Sequence, residues 1–134
     1  MKEINKNINE LLKKYQHVSV IGISNNPLKP SYQVAQYLKN AGYKIYPVNP
    51  NYSSVLGEKC YPGLKSIPDK IDIVDIFRPS EQILPIVYDA IAIQAQVVWM
   101  QLGIQNTDAA QRALEADINV VMNRCMKIEH MRLF

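Results

Sequence analysis

The sequence predicts an α/β protein whose centre is a doubly wound parallel sheet of about five strands. Short apolar segments alternate with segments of helical periodicity along the whole chain. The apolar segments are almost continuously hydrophobic, which is typical of parallel strands covered by helices on both faces. With 134 residues, the chain is expected to form one three-layer, Rossmann-like domain over residues 1–134. The predicted strands are HVSVIGI, YKIYPVNP, DIVDIF, QVVWMQ and INVVMN.

The helices are predicted from apolar spacing and from residues that start or stop a helix. Residues 3–16 place apolar side chains on one helical face, so a first helix is expected to pack on the domain. Gly42 is expected to end the second helix, and Pro47 and Pro50 to stop the second strand. RCMKIEHMRLF is predicted as a last short helix. The predicted N-caps of the three middle helices are Ser31, Ser80, and Asn106 or Thr107.

Composition and charge exclude several classes of protein. The formal charge is +3 and the basic residues are scattered, which suits an anionic small molecule better than a nucleic acid. Cys60 and Cys125 lie far apart, so neither a zinc site nor a disulfide framework is expected. Charged residues interrupt the N-terminal segment, so a signal peptide is not expected. The uncharged stretch from Ala90 to Thr107 contains glutamines and Asn106 and is too polar to span a membrane. These features predict a cytoplasmic protein without a metal.

The loop after the first strand is the first candidate site. Ligands of an open parallel sheet bind beyond the carboxyl ends of the strands, near the reversal of strand order beside strand one. Gly22 permits a tight exit there, and the next helix directs free N–H groups and its positive dipole end toward the crevice. Ser24, Lys29 and Ser31 add two hydroxyls and an ammonium group. This pattern predicts a phosphate-binding site. The alternative is a polar crossover loop in which Ser31 only caps the following helix.

The end of the second strand discriminates between cofactors. NAD-binding domains carry an acid there, which accepts hydrogen bonds from the adenosine ribose. Here the position holds Asn49, and no acid follows until Glu58. A neutral amide tolerates a ribose that carries a phosphate, whereas an acid repels it. NADP and coenzyme A therefore fit the sequence, and NAD fits poorly.

Six segments in a fixed order resemble a known family. They are VIGIS…KPSYQVAQYL, YPVNPN, LGEKCYPGL, DIVDIFRPSE, VVWMQLGI and VVMNRCMKIEH, and together they extend from about Val18 to Arg132. They resemble the small stand-alone CoA-binding proteins, which are similar to the N-terminal CoA-binding domain of the succinyl-CoA synthetase α subunit. The ligase domain that carries a phosphorylated histidine in the synthetase has no counterpart here. The resemblance therefore implies binding of coenzyme A or acyl-CoA and does not carry over the ligase reaction.

The resemblance also implies which residues contact the cofactor. One group matches the phosphate loop and a second matches the ends of strands two to four, with Asn49 expected near the adenosine. No catalytic residue is carried over. The expected cofactor-binding residues are Gly22, Ile23, Ser24, Lys29, Ser31, Tyr32, Asn49, Phe77, Arg78, Gln101 and Gly103.

Other polar residues have two interpretations each. Arg78 either forms a bidentate pair with a phosphate or pairs with Glu81 on the next helix. Cys125 and His130 either form a thiolate–imidazole pair or serve packing, and Cys125 could also form a mixed disulfide with the thiol of the ligand. Trp99 and Tyr88 are expected to pack helices on the sheet. Asp72 and Asp75 do not form a convincing acid/base pair.

Three functions remain open from the sequence. The first is a binding module that takes up CoA or acyl-CoA without catalysis. The second is an enzyme, either an NADP-linked reductase or a thioester-handling activity that uses Cys125 or His130. The third is an accessory subunit of a larger ligase or acyltransferase, which docks through the apolar face of the N-terminal helix; the alternative is that this face simply covers the edge of its own sheet. A homodimer is also compatible with the sequence.

Overall fold

The computed structural model describes residues 2–134 and shows five parallel strands in one sheet. Their order across the sheet is β2-β1-β5-β6-β7, and a separate two-stranded hairpin, β3-β4, follows β2. The predicted doubly wound parallel sheet is therefore confirmed. The strands are β1 (His17–Ile21), β2 (Lys44–Val48), β3 (Ser54–Val55), β4 (Glu58–Lys59), β5 (Ile73–Ile76), β6 (Val97–Met100) and β7 (Asn119–Met122).

Helices cover both faces of the sheet and bury two apolar clusters. One face packs against α3 and α4, which contribute residues such as Val87 and Ala110. The other face packs against α1, α2 and α5, where Leu12, Leu38 and Met126 are fully buried. The helices are α1 (Ile8–Lys14), α2 (Pro30–Asn40), α3 (Ile83–Ala92), α4 (Thr107–Glu115) and α5 (Met126–Leu133), with short 3₁₀ turns at Leu64–Ser66 and Ser80–Gln82.

Pro47 does not stop the second strand as predicted. Strand β2 continues through it to Val48, because β2 lies at the edge of the sheet. The Pro47 carbonyl accepts a hydrogen bond from the Tyr61 N–H on the side away from β1. The N–H that proline lacks is therefore not needed in the ladder to β1.

Two of the predicted helix caps are wrong. Lys29 is the N-cap of α2, and Ser31 lies inside the helix, where its hydroxyl accepts from the Ser24 N–H. Ser80 starts a 3₁₀ turn, and its hydroxyl accepts from the Gln105 N–H. The Asn106 cap is confirmed, since its side chain accepts from the Ala109 N–H. Serine hydroxyls accept from any nearby N–H, so their sequence position alone does not identify a cap.

The two aromatic residues that were expected to pack helices on the sheet, Trp99 and Tyr88, differ in burial. Trp99 is fully buried in the sheet, as expected, and its indole N–H donates to the Arg124 carbonyl. Tyr88 does not pack on the sheet, because half of it remains exposed on α3.

Across residues 2–134, none of the helices combines the length and the apolar character that crossing a bilayer requires.

Replacing Asn106 with alanine should destabilise the protein by at least the roughly 1 kcal/mol that is the usual effect of losing an N-cap. The loss should exceed that of a pure cap, because the Asn106 amide also donates to the Ser80 carbonyl. Urea unfolding of Asn106→Ala measures it. Asn40→Ala is the control, since Asn40 is exposed at the end of α2 and should change stability by less than about 0.5 kcal/mol. Equal effects of the two variants would contradict the assigned cap.

Candidate functional site

Two cavities open at the carboxyl edge of the sheet, on either side of Gly22 and Arg78. The chain leaves β1 toward β2 and returns to β5 on the other side of β1, so strand order reverses here. The first cavity, of about 470 Å³, includes Val48, Asn49, Leu64, Arg78, Ile86 and Asp89 in its wall. The second cavity, of about 380 Å³, includes Ser24, Lys29, Ser31, Phe77, Arg78 and Ile104.

Gly22 and Arg78 form a ridge between the two cavities. This ridge requires glycine at position 22. Gly22 has φ +80°, and a Cβ on it would lie 2.5 Å from the Phe77 carbonyl oxygen and 2.6 Å from Arg78 Cδ. The Gly22 N–H donates to the Val48 carbonyl at 2.9 Å. The turn after β1 is therefore held between the ends of β2 and β5. This contact brings the loops of both strands to one place.

The loop between Gly22 and α2 is ordered by its serine hydroxyls. Ser31 Oγ accepts from the Ser24 N–H at 2.9 Å, and Ser24 Oγ accepts from the Asn26 N–H at 3.0 Å. Both hydroxyls act as acceptors in these bonds. Because a hydroxyl also carries one proton, each can still donate to an anion in the second cavity. The N-cap Lys29 supplies no side-chain cap bond to the first turn of α2, which leaves this end suited to an anion.

Two cations face the second cavity without an acid as partner. Within residues 2–134, neither Lys29 nor Arg78 forms an ion pair. The interpretation of Arg78 as a surface partner of Glu81 is therefore not supported by the geometry. Arg78 lies in the walls of both cavities and can reach either of them. A guanidinium group at such a ridge matches the geometry of a phosphate.

Asn49 lies in the wall of the first cavity, at the end of β2. Its amide nitrogen donates to the Ile23 carbonyl at 2.9 Å, and its amide oxygen accepts from the Asn51 N–H at 2.9 Å. The Cys60 thiol donates to the Asn49 carbonyl at 3.5 Å, and burial raises the pKa of Cys60. These bonds fix the loop after β2. The side chain of Asn49 thus joins the first two strand-end loops.

The other residues of the predicted set lie below or beside the cavities. Ile23 is fully buried, and Tyr32 is half-buried against the same apolar cluster. Gly103 has φ +84°, and its N–H donates to the Asn123 side chain at 2.7 Å. Gln101 is buried, and its side chain contacts Asp75. The side chains of Ile23 and Gln101 thus lie within the core, below the opening of the cavities.

Asp75, which the sequence excluded only as an acid/base partner of Asp72, is a buried polar residue. It is completely buried near the end of β5, and Gln101 Nε2 donates to its Oδ1 at 2.6 Å. Burial raises the pKa of Asp75 to about 7, and the bond with Gln101 opposes that shift. The signal was present in the sequence, because DIVDIF places an acid inside an otherwise apolar strand. Burial of an ionised acid at such a position costs free energy.

Cys125 and His130 do not form a hydrogen-bonded pair within the described residues. Cys125 is half-buried at the N-cap of α5, beside a surface cavity that contains Arg124 and Glu129. His130 is buried in the last turn, and its Nδ1 lies 2.7 Å from Tyr37 Oη. Burial lowers the pKa of His130. The geometry required for an imidazole to activate the thiol is not formed.

The apolar face of the N-terminal helix does not form an open docking surface. Leu11 and Leu12 are buried, with exposed fractions of 7 % and 0 %, in the cluster between the sheet and α5. The helix is also shorter than predicted and extends from Ile8 to Lys14. The alternative that this face covers the chain's own sheet is therefore correct.

The fold and the position of the cavities define the class of protein: a Rossmann-like α/β domain with its clefts at the strand-order reversal. A family model described as a CoA binding domain matches residues 16–131, nearly the whole chain. The chain belongs to this CoA-binding domain family. The resemblance predicted from the six sequence segments is thereby confirmed.

Known proteins similar to this chain include stand-alone proteins and ligases. Protein YneT of Bacillus subtilis is 37 % identical over 92 % of this chain and 91 % of its own length. The structure of a hypothetical protein from Pyrococcus horikoshii superposes with a TM-score of 0.93 at 43 % identity, over 96 % of this chain and 90 % of that one. An ADP-forming acetate–CoA ligase of Archaeoglobus fulgidus is 44 % identical over 48 % of this chain, which spans only 10 % of the ligase.

Replacing Gly22 with alanine should destabilise the protein by more than about 1 kcal/mol, because φ is positive and the new Cβ meets backbone. Thermal unfolding of Gly22→Ala measures the loss. Gly63→Ala is the matched control: its backbone is extended and no atom lies within 4 Å of the added Cβ. Similar unfolding midpoints for the two variants would contradict the close contact at the ridge.

Proposed function

We propose that this protein binds coenzyme A or an acyl-CoA without catalysing a reaction on it. The observation that carries the proposal is the second cavity, where Lys29, Arg78 and the uncapped first turn of α2 converge and neither cation has an acidic partner among residues 2–134. Its position at the strand-order reversal and the family membership of the chain support the same ligand.

The phosphate groups of the cofactor are assigned to the ridge and the second cavity. Gly22 lines both cavities, so its backbone is within reach of a phosphate, and Ser24 and Ser31 each have a hydroxyl proton to donate. Lys29 and Arg78 supply two positive charges. Multiple charge-assisted hydrogen bonds of this kind are what a pyrophosphate requires.

The adenosine is assigned to the first cavity, beside Asn49. The wall there combines apolar side chains such as Val48 and Leu64 with the fixed amide of Asn49. Glu81 and Asp89 also line this cavity, so a ribose phosphate is better placed toward Arg78 than toward these acids. Pro50 and Pro62 provide flat apolar surface for a base.

The pantetheine arm is assigned to the path from Phe77 past Ile104 toward the exit of β6. Phe77 and Ile104 both line the second cavity. Gln101 and Gly103 lie at the beginning of the loop that contains Ile104. In this assignment they contribute backbone and loop shape, while Ile23 and Tyr32 support the site from the core.

In this proposal, residues 1–134 form one CoA-binding domain of a cytoplasmic protein. Docking on a larger ligase and formation of a homodimer are compatible with it, and neither determines where the cofactor lies. An enzyme that pairs Cys125 with His130 is disfavoured, because these side chains form no hydrogen bond with each other among the described residues and the His130 ring contacts Tyr37 instead. Hydrolysis or reduction of an added acyl-CoA that disappears in Cys125→Ala would overturn the non-catalytic assignment.

Coenzyme A should raise the thermal midpoint, because a ligand that binds only the folded state stabilises it by mass action. Lys29→Ala and Arg78→Ala should each weaken CoA binding about tenfold, which corresponds to ~1.4 kcal/mol. Calorimetry measures the affinities, and raised ionic strength should weaken them further, since these cations are exposed.

Lys13→Ala and Arg112→Ala are the matched controls, because Lys13 lies on α1 and Arg112 on α4, outside both cavities. Unchanged affinity in Lys29→Ala and Arg78→Ala would overturn the assigned phosphate site. Stabilisation by NADP and none by CoA would make an NADP-linked reductase the better assignment. Mass spectrometry of the small molecule released on denaturation gives an independent identification.

A further inference from the structure

The centre of the sheet contains a carboxyl group that the proposed binding site does not use. Asp75 lies in β5, with Val20 of β1 and Trp99 of β6 as its register neighbours. It is 0 % exposed, and its Oδ2 has no hydrogen-bond partner among the described residues. An ionised carboxylate in this position would leave a charge in an apolar layer with one oxygen unpaired. The site therefore favours the neutral acid.

Among the described residues, Gln101 is the side-chain hydrogen-bond partner of the Asp75 carboxyl group. Asp75 Oδ1 and the terminal amide of Gln101 are 2.6 Å apart. The nitrogen and oxygen of an amide are interchangeable in shape, so the Gln101 oxygen can occupy the facing position. The acid proton then has an acceptor, and only a neutral carbonyl oxygen stays unpaired.

Gln101 connects this buried pair to the second cavity. It follows β6 directly, and its carbonyl accepts a hydrogen bond from the Ile104 N–H at 2.9 Å. Ile104 lines the second cavity together with Lys29 and Arg78. A change in the orientation of Gln101 therefore alters the wall of that cavity, because one hydrogen-bonded backbone turn joins Gln101 to Ile104.

We infer that Asp75 is a neutral acid whose proton is shared with the Gln101 amide oxygen, and that this bond positions the loop at residues 101–106 as a wall of the second cavity. Asp75 is thus a positioning residue that makes the cavity sensitive to pH. Its effect on ligand affinity rests on the proposed function, whereas the protonation and the loop position do not.

The direction of the pH dependence follows from the surroundings of Asp75. Burial is the main cause of its raised pKa, about 7. Gln101 opposes this shift only while its N–H donates to the carboxyl group, and not when its oxygen accepts the acid proton. The titratable side chains of the helical layer on this face are Tyr15, Tyr32, Tyr37, Tyr43, Cys60, Cys125 and His130, and none of them contributes to this shift.

The unfolded chain has an ordinary aspartate pKa of about 4, so between about pH 4 and pH 7 the folded state holds a proton that the unfolded state has lost. Stability therefore falls as pH rises through this range. Above the raised pKa both states are ionised, and the stability due to the proton is fully lost. The same ionisation removes the proton that Asp75 donates to the Gln101 oxygen, so the Gln101 amide must turn and donate its N–H to the carboxylate.

Carbon-13 NMR of the aspartate carboxyl groups tests the inference without any ligand. One resonance should titrate near pH 7, and it should be absent in Asp75→Asn. Asp72→Asn is the control: it removes a half-buried carboxyl group from the same segment, and the resonance should persist in it. The Ile104 amide resonance should shift with the same midpoint in the wild type and lose that shift in Asp75→Asn. An Asp75 resonance that titrates near pH 4, or an Ile104 amide that does not follow it, would overturn the inference.

Asp75→Asn should fold, because an asparagine amide can donate to the Gln101 oxygen as the neutral acid does. Its thermal midpoint should lose the decline that the wild type shows as pH rises. CoA affinity of the wild type should fall above the midpoint by at most about tenfold per pH unit, and Asp75→Asn should lack that fall. A wild type and a variant with the same pH dependence of affinity would contradict the coupling to the cavity. Absence of CoA binding at every pH would instead overturn the proposed function and leave the NMR result as the test of Asp75.

Discussion

The close packing of Gly22 against the backbone at Phe77 and Arg78 determines where everything else in the site lies. A side chain at position 22 would collide with the Phe77 carbonyl, so the turn after β1 can approach β5 only as glycine. Because of this approach, the loop with Lys29 and the strand end with Arg78 face one cavity although they are about fifty residues apart in sequence. The two cations converge through backbone packing and have no direct contact with each other that would hold them there.

The polar groups of this region have separate structural and chemical tasks. Hydroxyls and amides near the opening, as in Ser24, Ser31 and Asn49, hold neighbouring loops together through backbone partners. Lys29 and Arg78 take no part in that framework and stay exposed to solvent. The arrangement is ordered before any ligand arrives, which reduces the conformational entropy that binding must remove.

The strands were predictable because parallel strands buried on both faces must be apolar, and their sequences show it directly. The caps were less predictable: Asn106 caps its helix, whereas Ser31 and Ser80 use the same chemistry to bind N–H groups of other segments. The Asp75–Gln101 pair was not predicted, because the two residues are far apart in sequence and meet only across neighbouring strands. Tyr88 shows the opposite error, as a large aromatic residue that the helix orientation leaves half-exposed.

The sequence by itself determined the alternation of strands and helices, the neutral residue at the end of β2 and the family to which the chain belongs. These properties depend on local composition and on motifs that are contiguous in the chain. Only the tertiary structure decided that Arg78 is free of Glu81, that Cys125 and His130 have different partners, and that Asp75 is buried beside Gln101. Each of these depends on distances between segments that are set by strand order and side-chain packing, and neither residue type nor spacing specifies them.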